Sequence, residues 1–433
     1  MSISAPTVLA PEIDFAPLSV RRNFAWSLGG NATYALCQWG ILIVIAKLGS
    51  TAMLGRFALA LAITAPVFML TNLQLSAVLA SDALQEYPFS SYLTLRVAGS
   101  TSALLFICSL VLIARFHRDT AAVALAIAFA KAAESFSDLI YGLWQKFERF
   151  KKVAIALSMR GLGSLAVMLA TLRLTHNIAL SAGFLALWWT VWLMVYERSG
   201  AEKILGVYAP GGFPAPKWDR LQLRKLVSLC WPCGIIVLLL ALAVNIPRYF
   251  IQRYLGSSQL GYFAAVAYLP AMGTMVISAL CQSALPRLSR DFEMDRAAYF
   301  RLLRKMIVIA LGLGTAGTGV AAIFGSSILT LVYSREYGAY VPLLVWMTIA
   351  AAFAYTSSVL GYGMTAMRRF REQIPLLVTV AGIIAVGCWA TIPRVGIIGG
   401  AYSLVLGFVL LTAGNAWIVY SRARKQFCAR EVT

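Results

Sequence analysis

Leu48-Gly49-Ser50-Thr51-Ala52-Met53-Leu54-Gly55-Arg56-Phe57-Ala58 and, past the midpoint, Leu255-Gly256-Ser257-Ser258-Gln259-Leu260-Gly261-Tyr262-Phe263-Ala264 read as two copies of one stretch. Each follows a long apolar segment and opens another, and Gly49 and Gly256 stand 207 positions apart in a chain of 433. Paired basic residues precede both copies, Arg21-Arg22 and Arg224-Lys225. A repeat at nearly half the chain length marks two homologous halves, and that symmetry constrains every later reading of the fold.

Working outward, hydrophobic residues make up 60% of the chain and charged residues only 12%, about half the share of an ordinary soluble domain. Apolar runs of about 20 residues recur throughout, each long enough at 1.5 Å per residue to cross a hydrocarbon core about 30 Å thick. Twelve spans are expected, near 24–46, 57–79, 94–114, 120–141, 153–173 and 177–196, then 226–246, 261–283, 305–325, 341–363, 374–392 and 399–420. The expected fold is therefore an all-α polytopic membrane protein, with two pseudo-symmetric six-helix bundles, 21–196 and 226–420, around a central cavity. Residues 197–225, with Pro210, Gly211, Gly212, Pro214 and Pro216, read as a cytoplasmic linker, 1–20 as a flexible cytoplasmic tail and 421–433 as a basic cytoplasmic tail.

The net charge of +20 would suggest nucleic acid in a soluble protein, but position decides otherwise. Of the 37 Lys and Arg, 26 fall in the tails and alternate connections on one side and 9 on the other, which sets both termini in the cytoplasm. Juxtamembrane basic residues of this kind face anionic lipid. Six spans per half is even, so the halves enter the membrane in the same sense. The axis relating them runs along the membrane normal, a transporter arrangement with its site between the halves near mid-membrane. Ser289 to Lys305, where Phe292, Tyr299, Leu302 and Leu303 alternate with Arg290, Arg296, Arg301 and Arg304, reads as an interfacial amphipathic helix.

Charges inside the spans are the candidates for function, because each is costly unless it faces a partner or water. Lys131, Glu134 and Asp138 share one face of the fourth span, being three and four residues apart. Arg160 in the fifth span should reach Glu134 or Asp138 in depth if the helices pack antiparallel. Two readings stand: an ion-pair cluster that locks the helices, with Glu134 and Asp138 as its gating acids, or cations that exchange carboxylate for an anionic substrate, for which an Arg fork suits phosphate. Ser27, Asn31, Tyr34 and Gln38 line the first span, and Asn245, Arg248 and Gln252 the seventh. Such polar stripes serve either as glue between helices or as donors and acceptors for sugar hydroxyls in a cavity. Pro247 is expected to break the seventh helix before Arg248.

Other motifs carry no chemistry. Cys230-Trp231-Pro232-Cys233 lacks the βαβ context of a redox pair and the second pair of a zinc site. Gly312-Leu313-Gly314-Thr315-Ala316-Gly317 fits a dinucleotide pattern but follows no strand. Asn31-Ala32-Thr33 lies within a span, and His117 and His176, the only histidines, sit in different outer loops. No metal or cofactor is expected, and the sequence leaves coupling to a proton or sodium gradient open.

The run Asn245-Ile-Pro-Arg-Tyr-Phe-Ile-Gln-Arg-Tyr-Leu-Gly-Ser-Ser-Gln-Leu-Gly-Tyr-Phe-Ala264 resembles the seventh-span signature of the polysaccharide transporter family. Gln282-Ser-Ala-Leu-Pro-Arg-Leu288 is similar to the end of its eighth span, and Leu329-Thr-Leu-Val-Tyr-Ser-Arg-Glu-Tyr337 to its outer loop before the tenth. The resemblance implies a flippase in the bacterial inner membrane. It would move undecaprenyl-pyrophosphate-linked oligosaccharide from the cytoplasmic to the outer leaflet by alternating access, for surface polysaccharides such as O-antigen or exopolysaccharide. A polysaccharide polymerase and export machinery are its implied partners. The family's cationic cavity would be supplied here by Lys131 and Arg160, with Arg248 nearer the outer exit. Many relatives carry Asp where this chain has Pro247, which puts ion coupling at that position in doubt. An exporter of cationic drugs in the same superfamily should carry an acid in its first span, and this chain has none there. An integral glycan polymerase calls for a sizeable outer loop or an Asp-x-Asp. A membrane scaffold would have no use for embedded charge.

Overall fold

The computed structural model describes residues 20–82, 87–208, 213–367 and 370–430. The tail expected over 1–20 therefore lies almost wholly outside the described residues, as do Pro210, Gly211 and Gly212 of the expected linker.

Among the described residues every regular element is a helix. The first half runs α1 (Val20–Leu48), α2 (Thr51–Asn72), α3 (Leu75–Ser81), α4 (Phe89–Ile113), α5 (Arg118–Lys146), α6 (Phe150–Thr175), α7 (Ile178–Trp192) and α8 (Arg198–Tyr208). The second runs α9 (Arg220–Met294), α10 (Arg296–Val332), α11 (Val341–Ala366), α12 (Gln373–Val395) and α13 (Ile398–Arg430). Among the described residues ten helical segments are long and apolar enough to cross a membrane. One of them, Arg220–Leu285, has 66 residues, far more than a single span needs, and bends at Gly256 into two arms. α5 is the twelfth, set apart from the ten by Lys131, Glu134 and Asp138 in its middle. The twelve-span architecture is the observed one.

Three local expectations are corrected. α9 is helical through Pro247, and its only non-helical backbone is at Gly256, with φ 81° and ψ 178°. Proline's φ is helix-compatible and removes one hydrogen bond, whereas a positive φ is open to glycine without strain, so the chain turns where the repeat places glycine. The amphipathic stretch 289–305 is no separate element. It is the last turns of α9 and the first of α10, joined at Asp295, whose side chain caps the Ala298 N–H at 3.1 Å. Its periodicity is real, since Phe292, Tyr299 and Leu303 are buried while Arg290, Arg301 and Arg304 are exposed. The expected linker also starts too early: Glu197, Ala201, Ile204 and Leu205 are buried against the first half, and α8 belongs to that bundle.

The helix turns at residues 48–51, 114–117, 176–177, 256, 333–340 and 396–397 gather at one end of the bundle, here the turn end; the first described residues of α1 and the last of α13 lie at the other. The two copies of the repeat meet at the turn end. A methyl group on Gly55 would overlap the carbonyl oxygen of Ser257, and one on Gly261 would overlap that of Thr51. Equivalent glycines thus cross about the pseudo-two-fold axis with backbone against backbone. Around them Arg56 pairs with Asp119 at 2.8 Å, Trp39 donates to the Tyr333 hydroxyl at 3.1 Å and Lys47 donates to the Leu331 carbonyl at 3.4 Å. Trp39 and Lys47 both lie in the last ten residues of α1, so these two bonds to the second half sit at the turn end.

Gly55→Ala and Gly261→Ala should each destabilise the protein by about 1–3 kcal/mol, the usual cost of overpacking. Gly183→Ala, on a helix surface with nothing within 4 Å, should stay within about 0.5 kcal/mol of wild type. Thermal unfolding of the three variants in detergent distinguishes a crossing that needs glycine from one that merely contains it.

Candidate functional site

The embedded charges gather inside the first half. Lys131 Nζ lies 2.5 Å from Glu134 Oε2, and Glu134 Oε1 accepts the Tyr34 hydroxyl of α1 at 3.0 Å. The lysine also sits 5.9 Å from the Trp189 ring, a cation–π distance. One turn on, Asp138 turns away from this group and accepts Arg96 Nη2 of α4 at 3.0 Å.

Arg160 does not meet Glu134 or Asp138 as its depth predicts. Its Nη2 reaches both carboxylate oxygens of Glu197, at 2.9 and 3.1 Å, and also donates to the Ser137 hydroxyl. Tyr141 donates to Glu197 Oε1 at 2.6 Å, and the guanidinium lies 5.5 Å from the Tyr141 ring and 5.4 Å from that of Trp189. Arg160 and Glu197 are 1% and 0% exposed, so no solvent reaches the pair. The helix pays attention to Glu197 through its phase: Trp189, Leu193, Glu197 and Ala201 are all buried at four-residue spacing. An α-helix of 3.6 residues per turn would drift off that face. The π-helical turn Leu193–Glu197 widens the step and keeps Glu197 inward.

The interior of the first half therefore holds three cations, Arg96, Lys131 and Arg160, and three carboxylates, Glu134, Asp138 and Glu197. Sequence reasoning missed Arg96 and Glu197 because both lie within three residues of an expected span end, where they were assigned to the connections. Their spacing from the apolar runs was the available signal, since each is followed or preceded by uninterrupted helix.

Among the described residues the second half has no such network. α11 contains no charged residue, and α9 contributes Arg248. Its first arm presents Pro247 to Gly400 of α13 and donates the Tyr249 hydroxyl to the Ala62 carbonyl of α2. Asn245 and Arg248 take the remaining sector. Asn245 is 7% exposed, gives its amide to the Ala241 carbonyl at 2.8 Å and accepts Arg248 Nη1 at 2.9 Å. Arg248 Nε is buried without a hydrogen-bond partner, and among the described residues no carboxylate pairs with this guanidinium. On α1, Asn31 is exposed and bonds only the Ser27 carbonyl, at 2.8 Å, while Gln38 Nε2 is buried without a partner. Tyr34 is the member of that stripe that joins the charged group. Among the described residues no hydrogen bond joins Asn31 or Gln38 to Asn245 or Arg248.

Two pseudo-symmetric six-span bundles, one with a neutralised charge network and one with a partly buried cation that no carboxylate pairs among the described residues, define a transporter-like multi-pass membrane protein. The chain belongs to the polysaccharide biosynthesis protein family, which it matches over residues 20–292. It is 23% identical over 392 residues to the capsular polysaccharide biosynthesis protein CapF of Staphylococcus aureus, covering 90% of this chain and 97% of that one. In structure it is similar to the lipid II flippase MurJ in an inward closed conformation, with a TM-score of 0.73 and 9% identity, over 90% of this chain and 86% of that one. It is also similar to an inward-facing multidrug resistance MATE family transporter of the MOP superfamily, with a TM-score of 0.70 and 12% identity, over 97% of both chains.

Glu197→Ala should cost about 3–5 kcal/mol, because it leaves Arg160 charged and buried. The double replacement Arg160→Met with Glu197→Leu should recover most of that loss. A double-mutant cycle by thermal unfolding in detergent measures the coupling directly.

Proposed function

We propose that this protein is a flippase for a polyprenyl-pyrophosphate-linked oligosaccharide, carrying its head group from the cytoplasmic to the outer leaflet by alternating access. The observation that carries this reading is Arg248, a permanent cation that is partly buried, with its Nε buried and unpartnered and, among the described residues, no carboxylate beside it. A permanently charged guanidinium at such depth needs water or an anion, and pyrophosphate supplies the anion.

Lys131 is the second phosphate contact in this reading. It is about one-fifth exposed and held by a single carboxylate, so it can exchange Glu134 for phosphate, with Glu134 as the acid released. Asp138, 42% exposed and tied to Arg96, is the other acid able to change partner. The unpartnered amide of Gln38, with Asn31 and Asn245, offers donors and acceptors to sugar hydroxyls. Arg160 is assigned instead to holding α5, α6 and the end of α7 together through Glu197. The basic side of the chain, with both termini, faces the cytoplasm, which makes the turn end the outer one. The crossing of Gly55 with Gly261 then closes the outer side, and the described state is inward-facing.

The test is a leaflet assay in proteoliposomes with a fluorescent polyprenyl-pyrophosphate oligosaccharide and a membrane-impermeant quencher. Arg248→Gln should slow flipping about tenfold or more, the loss of one charge-assisted phosphate contact, with melting unchanged, whereas Arg160→Ala should lose folded protein. A wild type no faster than empty vesicles, with proton or sodium gradients imposed, would overturn the flippase reading in favour of a drug exporter. Wild-type speed in Arg248→Gln would remove Arg248 from the transport path.

A further inference from the structure

A second feature lies outside the seam. Between α2, α4 and the first arm of α9 is a lateral cavity of about 960 Å³. Its floor is α2, with Ile63 and Val67, and its walls are α4, with Phe106, and α9, with Leu238 and Leu242. Phe106 is 55% exposed, so the cavity is a groove open sideways toward lipid. The bond from Tyr249 to the Ala62 carbonyl closes it off from the interior where Arg248 sits.

The groove has one charged end. Arg253, which lines it beside Gln252, is three residues from the bend at Gly256 and therefore at the membrane boundary of the turn end. Among the described residues no carboxylate pairs with it. From Arg253 to Leu238 are 15 residues of helix, about 22 Å at 1.5 Å per residue. Half of a hydrocarbon core is about 15 Å. A phospholipid acyl chain is confined to its own leaflet, so a groove that runs past the midplane suits a longer chain. Apolar length beyond one leaflet, capped by a guanidinium suited to phosphate oxygens, is the pattern of a long isoprenoid phosphate.

We propose that this groove holds the polyisoprenoid tail of the carrier lipid, with its phosphate at Arg253, once the head group has reached the turn end. The tail stays in the membrane outside the bundle, on the far side of the Tyr249 contact from the passage taken by the sugar. This inference rests on the flippase reading for the identity of the lipid, but it makes its own claim about where the tail lies.

Purified full-length protein in phosphatidylcholine nanodiscs, loaded with polyprenyl pyrophosphate carrying a diazirine in its tail, tests it by photolabelling and peptide mapping. Label should fall on α4 and α9 around Phe106, Leu238 and Leu242. Ser102→Trp, at an exposed position lining the groove, should remove that label. Arg253→Gln should weaken retention of the pyrophosphate about tenfold, as loss of a charge-assisted contact does, and leave retention of the uncharged polyprenol unchanged. Equal labelling in Ser102→Trp, label elsewhere on the protein, or its loss to an equal concentration of phosphatidylglycerol would overturn the proposal, the last by showing a phospholipid site. The same preparations go through the leaflet assay. A wild type that flips while its label lies elsewhere refutes the groove alone; groove labelling without flipping supports the tail site and refutes the flippase reading.

Discussion

A charge within a hydrocarbon layer must find a counter-charge or water, and the arrangement of the first half follows from that constraint. Each of its three embedded cations, of which Arg96 and Arg160 are fully buried, is matched by a carboxylate from another turn or another helix. Arg96 to Asp138 ties α4 to α5, and Arg160 to Glu197 ties α6 to the end of α7. Lys131 to Glu134 stays within α5 and reaches α1 through Tyr34. The π-helical turn is part of the same solution, because without its wider step Glu197 would leave the buried face and Arg160 would be stranded. Breaking one member of such a pair costs more than the pair contributes, so these charges specify helix positions more than they add stability.

The second constraint is the symmetry of the repeat. Two halves related by an axis along the membrane normal place equivalent residues opposite each other on that axis, and only residues without side chains can meet there at backbone distance. Gly55 and Gly261 satisfy this. The halves can therefore close at the turn end with little to desolvate, while Trp39, Lys47 and Tyr333 seal the rim around them. α2 and α9 pack along each other beyond the glycines as well, with Tyr249 of α9 donating to the Ala62 carbonyl of α2, so separating the halves at the turn end means parting this helix pair.

The sequence made the span count and the twofold organisation legible because both rest on patterns tens of residues long: apolar runs and a repeat at half the chain length. Single residues near span ends were not legible. Arg96 and Glu197 lie where hydropathy changes over two or three positions, and only the packed neighbours decide whether such a residue is inside or out. Pro247 misled for a related reason. Its chemistry suggests a break, but a membrane helix packed on both sides holds its course through one missing hydrogen bond, and the bend falls at Gly256, where the positive φ is free. Lys131, Glu134 and Asp138 were legible as one face of α5, but their partners were not, because the identity of the helix across from each is a tertiary fact.

The difference between the halves bears on what crosses the membrane. The first half is electrically closed, so at rest it offers an incoming ion no net attraction. Arg248 in the second half has no carboxylate partner among the described residues, and a charge within a membrane span needs a partner or water. Water is the only other compensation open to it, so with no substrate bound its surroundings must be hydrated. The glycine crossing shuts the turn end, and that water has to come from the opposite end, where α1 begins. An anion entering from that end replaces water at Arg248 and can draw Lys131 from Glu134, whereas a cation would have to displace Lys131 to reach the same carboxylate. In the proposed flippase, this arrangement would suit anionic cargo met first from that end.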